Sequence, residues 1–145
     1  LRCLHPSTVA YPAVIAIAAV RVTREGHARG EGGTLPTIIG LPTLEDEAML
    51  GIADADAVAA HWQGLSCAET AVKLGAAACQ LPDGSVIAPE AVLAPVDTSG
   101  AGDAFNAGYL GARIDGAKPA DAARAGHALS GWTIMRPVAI PARDS

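Results

Sequence analysis

The stretch Val96–Leu110, with the sequence VDTSGAGDAFNAGYL, constrains the fold more than any other part of the chain. The apolar run Val92–Val96 before it has the length of a strand, and small and apolar residues recur at helical spacing from about Ala101 onward. The pattern therefore predicts a turn from a strand into a helix. Gly100 and Gly102 permit a tight bend and leave the first amides of the helix accessible, which predicts an anion site.

Asp103 falls in the first turn of this predicted helix, beside the place where an anion would bind. A carboxylate repels a bound polyphosphate, so its position calls for a chemical reason. In phosphoryl transfer the protein mainly positions groups and stabilises charge, while one residue orients or deprotonates the attacking hydroxyl. We therefore predict that Asp103 is the general base and that the amides of Gly100, Ala101 and Gly102 form the anion hole.

A Gly-x-Gly turn before a helix is often only a tight connection, so neighbouring motifs matter. The chain has no Gly-x-x-x-x-Gly-Lys-Ser/Thr sequence, and Phe105 stands where a dinucleotide-binding fingerprint has its third glycine. Ser99 lacks the glycine two residues earlier that a nucleophile elbow requires. The segment Asp97–Asp103, followed by Ala107–Leu110, instead resembles the C-terminal signature of the ribokinase-like (PfkB) carbohydrate kinases.

This resemblance implies a catalytic base at Asp103 and a Gly-Ala-Gly anion hole for the transferred phosphate. It also implies ATP and Mg²⁺ as cofactors, and a small-molecule sugar or sugar acid as the acceptor. Asp97 and Thr98 would shape the turn near the phosphates and the waters of the metal. The runs 103–110 and 125–129 most resemble the 2-dehydro-3-deoxygluconokinase branch, and the likeness covers roughly the C-terminal half of a typical member.

The resemblance also implies a metal site on an acidic helix. Thr43 is a good N-cap residue, with Asp46 three residues later, and the pattern predicts a helix over Leu44–Ile52. The acidic cluster on this helix is also typical of a solvated surface. In the family an acid at this point organises Mg²⁺, and Asp46 and Glu47 are both candidates.

Further nucleotide contacts are implied at two other places. Lys73 and Gly75 lie at the end of a predicted strand that would face the nucleotide, although a lysine at a strand end is often simply solvated. The end of the last predicted helix would line the adenine pocket, which makes His127, Ser130 and Val138 candidates.

Composition limits the partners and the compartment. A net charge of −5 argues against nucleic acid and against a membrane surface as partners. Three widely spaced cysteines, an odd number without a Cys-x-x-Cys pair, indicate neither a disulfide framework nor a zinc site and favour a cytoplasmic location. The longest apolar run, Val9–Val22, contains Pro12 and is too short to span a bilayer, and we recognise no signal peptide. A homodimer is compatible with the sequence.

The order of predicted elements favours a layered α/β fold, with a mostly parallel sheet flanked by helices. Residues 1–40 read as an irregular or divergent segment, either an insertion or a damaged region, and residues 41–145 as the C-terminal ATP-binding and catalytic part of a ribokinase-like fold whose N-terminal half is missing. The predicted elements are the strands Ile38–Leu41 and Thr70–Leu74, a helix capped by Asp54 or Asp56 and ending near Leu65, a hairpin of Cys79–Leu81 and Ser85–Ile87, and a helix from Pro119 to about Trp132.

Two functions remain open from the sequence. The chain is either the catalytic half of an ATP-dependent sugar kinase or a truncated, non-catalytic remnant that at most binds nucleotide. Because the family's sugar-binding residues come mainly from the N-terminal half, we expect little kinase activity and poor solubility from these 145 residues alone.

Overall fold

The computed structural model describes residues 19–22 and 37–137. Most of the predicted irregular segment 1–40, the run before residue 19 and Val138 therefore lie outside the described residues. The strands are β1 (Ala19–Val22), β2 (Thr37–Gly40), β3 (Glu69–Thr70), β4 (Val72–Lys73), β5 (Cys79–Gln80) and β6 (Val86–Ile87), and the helices are α1 (Leu44–Ala48), α2 (Ala55–Gly64), α3 (Ala101–Ile114) and α4 (Pro119–Ile134).

The strands form two small sheets, and a parallel pairing between β4 and the chain that follows β2 connects them. In the first sheet β1 is antiparallel to β2 and β2 is parallel to β3, and in the second β4, β5 and β6 are antiparallel. Ala71 and Lys73 donate backbone hydrogen bonds to Gly40 and Pro42, at 2.9 and 2.8 Å. The predicted strand Thr70–Leu74 is therefore two short strands in two sheets, because the chain changes neighbours at Ala71.

The α1–α2 region follows the predicted order with different helix ends. Helix α1 stops at Ala48 rather than Ile52, and Gly51 has a φ of +86°, which ends helical geometry. The Thr43 side chain makes no capping bond, whereas Asp54 caps α2 by accepting a hydrogen bond of 2.8 Å from the amide of Ala57. The choice between Asp54 and Asp56 is thereby settled in favour of Asp54.

The prediction of a strand at Val92–Val96 is wrong. This segment has no strand partner in the described residues, and Val92 is fully exposed. The amides of Val96 and Asp97 donate instead to the carbonyl oxygen of Ile134, at 2.8 and 3.1 Å. The end of α4 thus satisfies the backbone that a neighbouring strand would have satisfied, and it fixes the start of the turn into α3.

Helices α3 and α4 cross at two glycines. A Cβ atom at Gly108 would lie 2.6 Å from the carbonyl oxygen of Ala125, and one at Gly126 would lie 2.9 Å from the Phe105 ring. The helices therefore approach more closely than alanine would allow. Tyr109 on α3 is fully buried, and the core around it combines both sheets and both helices: Ile39, Leu41, Ala71, Cys79, Leu81, Phe105, Ala122 and Ala123.

Candidate active site

The turn into α3 has the geometry that its glycines predict. Gly100 precedes the helix with a φ of +75°, a left-handed conformation that disfavours other residues. The Asp97 carboxylate accepts a hydrogen bond of 2.8 Å from the Ser99 amide, which lowers the pKa of Asp97. The amide of Ala101 donates to the Thr98 carbonyl at 3.2 Å. Hydrogen bonds within the turn therefore stabilise its conformation.

The three amides of the predicted anion hole differ in their hydrogen bonds. Within the described residues the amides of Gly100 and Gly102 have no acceptor, whereas the Ala101 amide is engaged by Thr98. The first helical amides are the ordinary place for an anion, because they point outward along the helix axis. Two of the three predicted donors are thus available, and the third would have to exchange its partner.

Asp103 is exposed in the first turn of α3. It forms neither a hydrogen bond nor a salt bridge with any described residue. Burial lowers the pKa of Lys73, and the Asp103 carboxylate is close enough to oppose this effect without forming an ion pair. With respect to the described residues, the carboxylate is therefore turned neither into the core nor into a salt bridge, and it is exposed to solvent.

A cavity of about 980 Å³ opens beside this turn. We call it the site cavity. Of the predicted site residues, those that line it are Lys73, Gly75, Thr98, Ala101, Gly102, His127 and Ser130. Asp103 is not itself a lining residue but follows one, Gly102, directly in the chain. The volume of the site cavity is at the upper end of the range of small-molecule sites.

The lining of the site cavity is mainly apolar. Phe105, Ile134 and Met135 contribute to it, together with Trp132. The guanidinium carbon of Arg136 lies 3.6 Å from the centroid of the Trp132 ring, a cation–π contact. A flat aromatic ligand would therefore find both apolar and aromatic surface here.

His127, which lines the site cavity, also has structural contacts of its own. Its Nε2 lies 2.9 Å from the carbonyl oxygen of Ile87, and its ring meets the edge of Phe105 at a centroid distance of 5.0 Å. Because a carbonyl oxygen only accepts, Nε2 must carry the hydrogen. The predicted nucleotide contact thus also fastens α4 to strand β6.

Lys73 lies under the first turns of α3. Its ammonium group donates a hydrogen bond of 3.0 Å to Oδ1 of Asn106. Burial lowers the pKa of Lys73, and the carboxylates of Asp46 and Asp103 oppose this effect. Sequence reasoning missed Asn106; the only available signal was its position three residues after Asp103, on the same face of the helix.

The two metal candidates, Asp46 and Glu47, lie on opposite sides of α1, one exposed and one buried. Asp46 is exposed and acts on Lys73, whereas Glu47 is buried and accepts a hydrogen bond of 2.9 Å from the indole nitrogen of Trp62. No group of three potential ligand side chains occurs in the described part of the chain. Magnesium in phosphate-transfer sites is commonly held by one or two carboxylates together with phosphates and waters. Of the two candidates only Asp46 is exposed, and neither lines the site cavity.

The sequence matches the pfkB family carbohydrate kinases over residues 34–144. This chain belongs to the pfkB family. Within the family it is similar to the 2-dehydro-3-deoxygluconokinase of Dickeya dadantii (strain 3937), with 37% identity over 107 residues, which are 69% of this chain and 34% of that protein. The predicted resemblance is therefore confirmed.

Solved structures of kinases share the fold. The ribokinase of Thermotoga maritima is 27% identical, with a TM-score of 0.58 over 72% of this chain and 39% of that one. The aminoimidazole riboside kinase of Salmonella enterica, solved with aminoimidazole riboside and an ATP analogue, is 26% identical, with a TM-score of 0.60 over 70% of this chain and 37% of that one. The layered α/β, ribokinase-like architecture is confirmed.

This pfkB chain spans only about a third of the length of the curated relative it matches. No helix in ranges 19–22 and 37–137 is both long and apolar enough to cross a bilayer.

Proposed function

We propose that this pfkB chain supplies the ATP-binding and catalytic part of a carbohydrate kinase, which transfers the γ-phosphoryl group of ATP to a sugar hydroxyl. One observation carries the proposal. An exposed carboxylate, Asp103, stands in the first turn of α3 beside the amides of Gly100 and Gly102, and none of these groups has a partner among residues 19–22 and 37–137; all lie beside a cavity large enough for a nucleotide. That combination suits phosphoryl transfer to an alcohol.

In the proposed step the acceptor oxygen attacks the γ-phosphorus and its proton passes to the Asp103 carboxylate. A new phosphorus–oxygen bond forms, the bond to the bridging oxygen breaks, and ADP leaves with that electron pair. General-base assistance of this kind is typically worth about 10²–10⁴ in rate. The exposure of Asp103 supports the role, because the acceptor has to reach it.

The amides of Gly100, Ala101 and Gly102 would stabilise the negative charge that develops on the transferred group. Each donor of this kind is worth roughly 2.7–4 kcal/mol in the transition state. Asp97 holds the turn through Ser99, and Thr98 lines the cavity. Lys73 would add a positive charge on the same side.

The magnesium ion that accompanies ATP would be held through Asp46, the phosphates and water. When bound, it supplies charge neutralisation on the phosphates. Glu47 is not part of this proposal, because its carboxylate is buried against Trp62.

The nucleoside of ATP would lie in the apolar half of the site cavity. Gly75, His127 and Ser130 line that cavity, and Trp132 offers a ring for stacking. The 37% identity to a 2-dehydro-3-deoxygluconokinase supports a 2-keto-3-deoxy sugar acid as the acceptor. A cytoplasmic location and a homodimer remain predictions.

The test compares Asp103→Asn with Asp115→Asn, a control at the other end of the same helix, in the chain co-expressed with the N-terminal part of the Dickeya relative. Asp115 is exposed at the C-cap of α3. We expect Asp103→Asn to abolish most ATP-dependent phosphorylation of 2-dehydro-3-deoxygluconate while nucleotide affinity stays unchanged, and Asp115→Asn to change neither. Near-normal turnover by Asp103→Asn would exclude it as the base.

A second candidate is a non-catalytic chain that binds nucleotide only. The matched residues make up 34% of the relative's length, and the resemblance places the sugar-binding residues mainly outside them. It predicts that the chain binds nucleotide but gives no turnover, both alone and when co-expressed with the N-terminal part of the Dickeya relative. That outcome separates it from the kinase proposal.

A further inference from the structure

The described residues satisfy the Lys73 ammonium group only in part. Lys73 is the last residue of β4 and half-buried, and within the described residues its ammonium group donates one hydrogen bond, of 3.0 Å, to Asn106. An ammonium group has three hydrogens to donate. A half-buried charge with two unused donors is costly unless a ligand or water completes its shell.

The place of this charge is defined by two backbone elements. Strand β4 is paired in parallel with the chain at Thr43, which precedes α1, so Lys73 stands between α1 and α3. Its ammonium nitrogen lies 3.7 Å from the position of a Cβ atom at Gly102. The charge is therefore directly beneath the turn with the free amides, and both Lys73 and Gly102 line the site cavity.

Asn106 is a neutral acceptor in a region of carboxylates. Asp46 and Asp103 both act on Lys73 through space, yet neither comes within salt-bridge distance. A neutral partner fixes the direction of the ammonium group without cancelling its charge, whereas a carboxylate in its place would neutralise it. The positive charge thus stays available to a further anion.

We propose that Asn106 is a positioning residue that holds the Lys73 ammonium group under the Gly100–Gly102 turn, so that the phosphate chain of a bound nucleotide meets a fixed positive charge. This inference rests on the proposed function, because it concerns the same nucleotide site. Asn106 acts through Lys73 and does not contact the ligand. The Lys73–Asn106 bond then contributes to nucleotide affinity as well as to the packing of β4 on α3.

The experiment measures binding of a non-hydrolysable ATP analogue with Mg²⁺ by calorimetry, with the 145-residue chain carried on a small soluble fusion domain. The variants are Lys73→Met, Asn106→Ala, their double mutant and the isosteric Asn106→Asp. Gln80→Ala is the matched control, because it removes a side-chain hydrogen bond of 2.7 Å to Asp56 and lies outside the cavity lining. Thermal melting identifies any variant that does not fold.

We expect Asn106→Ala to raise the dissociation constant roughly five- to tenfold, and to have no further effect once Lys73 is methionine, since coupled residues are non-additive. Asn106→Asp should keep the fold and still weaken binding, because its charge neutralises Lys73. In NMR spectra, which add a second measurement, the amine resonance of Lys73 should shift when the analogue is added to the wild type or to Gln80→Ala.

Wild-type affinity in Asn106→Ala or Asn106→Asp, or additive effects in the double mutant, would overturn the positioning role and leave the proposed function standing. Failure of the wild-type chain to bind the analogue would overturn nucleotide binding itself, and the positioning role with it.

Discussion

The phenol of Tyr109 donates a hydrogen bond of 2.7 Å to Oε1 of Glu69, and both side chains are buried. Arg113, one turn further along α3, binds both oxygens of the same carboxylate at 2.9 and 2.7 Å. The three side chains tie α3 to strand β3. Because α3 carries the glycine turn and Asp103 at its other end, this network holds the helix that presents the candidate base.

Tyr109→Phe should destabilise the fold without altering its shape. It leaves Glu69 with one partner fewer, and a hydrogen bond to a charged acceptor is worth about 1.5–3 kcal/mol. We expect a loss in this range in the free energy of unfolding, measured with urea at pH 7. An unchanged midpoint would show that the phenol contributes nothing.

The loss of unfolding free energy caused by Tyr109→Phe should depend on pH. Burial, with the Glu69 hydrogen bond, raises the pKa of Tyr109 above its ordinary value of about 10. The folded chain therefore keeps a proton that the unfolded chain releases, so the stabilisation is complete below about pH 10 and declines as the pH rises further. The difference in unfolding free energy between wild type and Tyr109→Phe should shrink from pH 9 to pH 11. A constant difference would contradict this assignment.

Arg113→Met and Arg124→Met remove two ion pairs of different burial. The Arg113–Glu69 side chains are 23% and 7% exposed, and those of Arg124–Asp121 are 52% and 62% exposed. Loss of one partner from a buried pair typically costs about 3–5 kcal/mol, and we expect the lower end for Arg113. Arg124→Met should cost less than about 1 kcal/mol. Equal losses in urea unfolding would refute the structural role of the network.

Gly108→Ala and Gly111→Ala test the close crossing of α3 and α4 on one helix. A Cβ atom at Gly108 would clash with the Ala125 carbonyl, whereas none of the atoms described lies within 4 Å of one at Gly111. We expect Gly108→Ala to destabilise the fold by about 1–3 kcal/mol through overpacking. Gly111→Ala should instead stabilise it by up to about 1 kcal/mol, the difference in helix propensity. The two thermal midpoints should move in opposite directions.

The chain on its own should be poorly soluble and give little turnover. Large apolar side chains stand exposed, among them Met49 at 78% and Leu65 at 61%. Sedimentation and an ATP-coupled kinase assay on the 145-residue chain measure both properties. A soluble monomer with robust phosphorylation of 2-dehydro-3-deoxygluconate would contradict this prediction.

Local chemistry in the sequence was enough for several features. Gly100 has the left-handed conformation its residue type favours, α3 begins at Ala101, and Asp103 is exposed in its first turn. The hairpin around Pro82–Gly84 forms as predicted between β5 and β6. Each of these depends on neighbouring residues, so residue type and spacing carry the information.

Only the tertiary structure decided the rest. Val92–Val96 is not a strand, because the amides of Val96 and Asp97 donate to the carbonyl oxygen of Ile134, which lies at the end of α4 and far along the chain. Asp46 and Glu47 are adjacent in sequence, yet a step of one residue around a helix sends one to solvent and the other under Trp62. The Lys73–Asn106 bond joins residues 33 positions apart. Sequence spacing specifies backbone geometry over a few residues, but partners this far apart are chosen by packing.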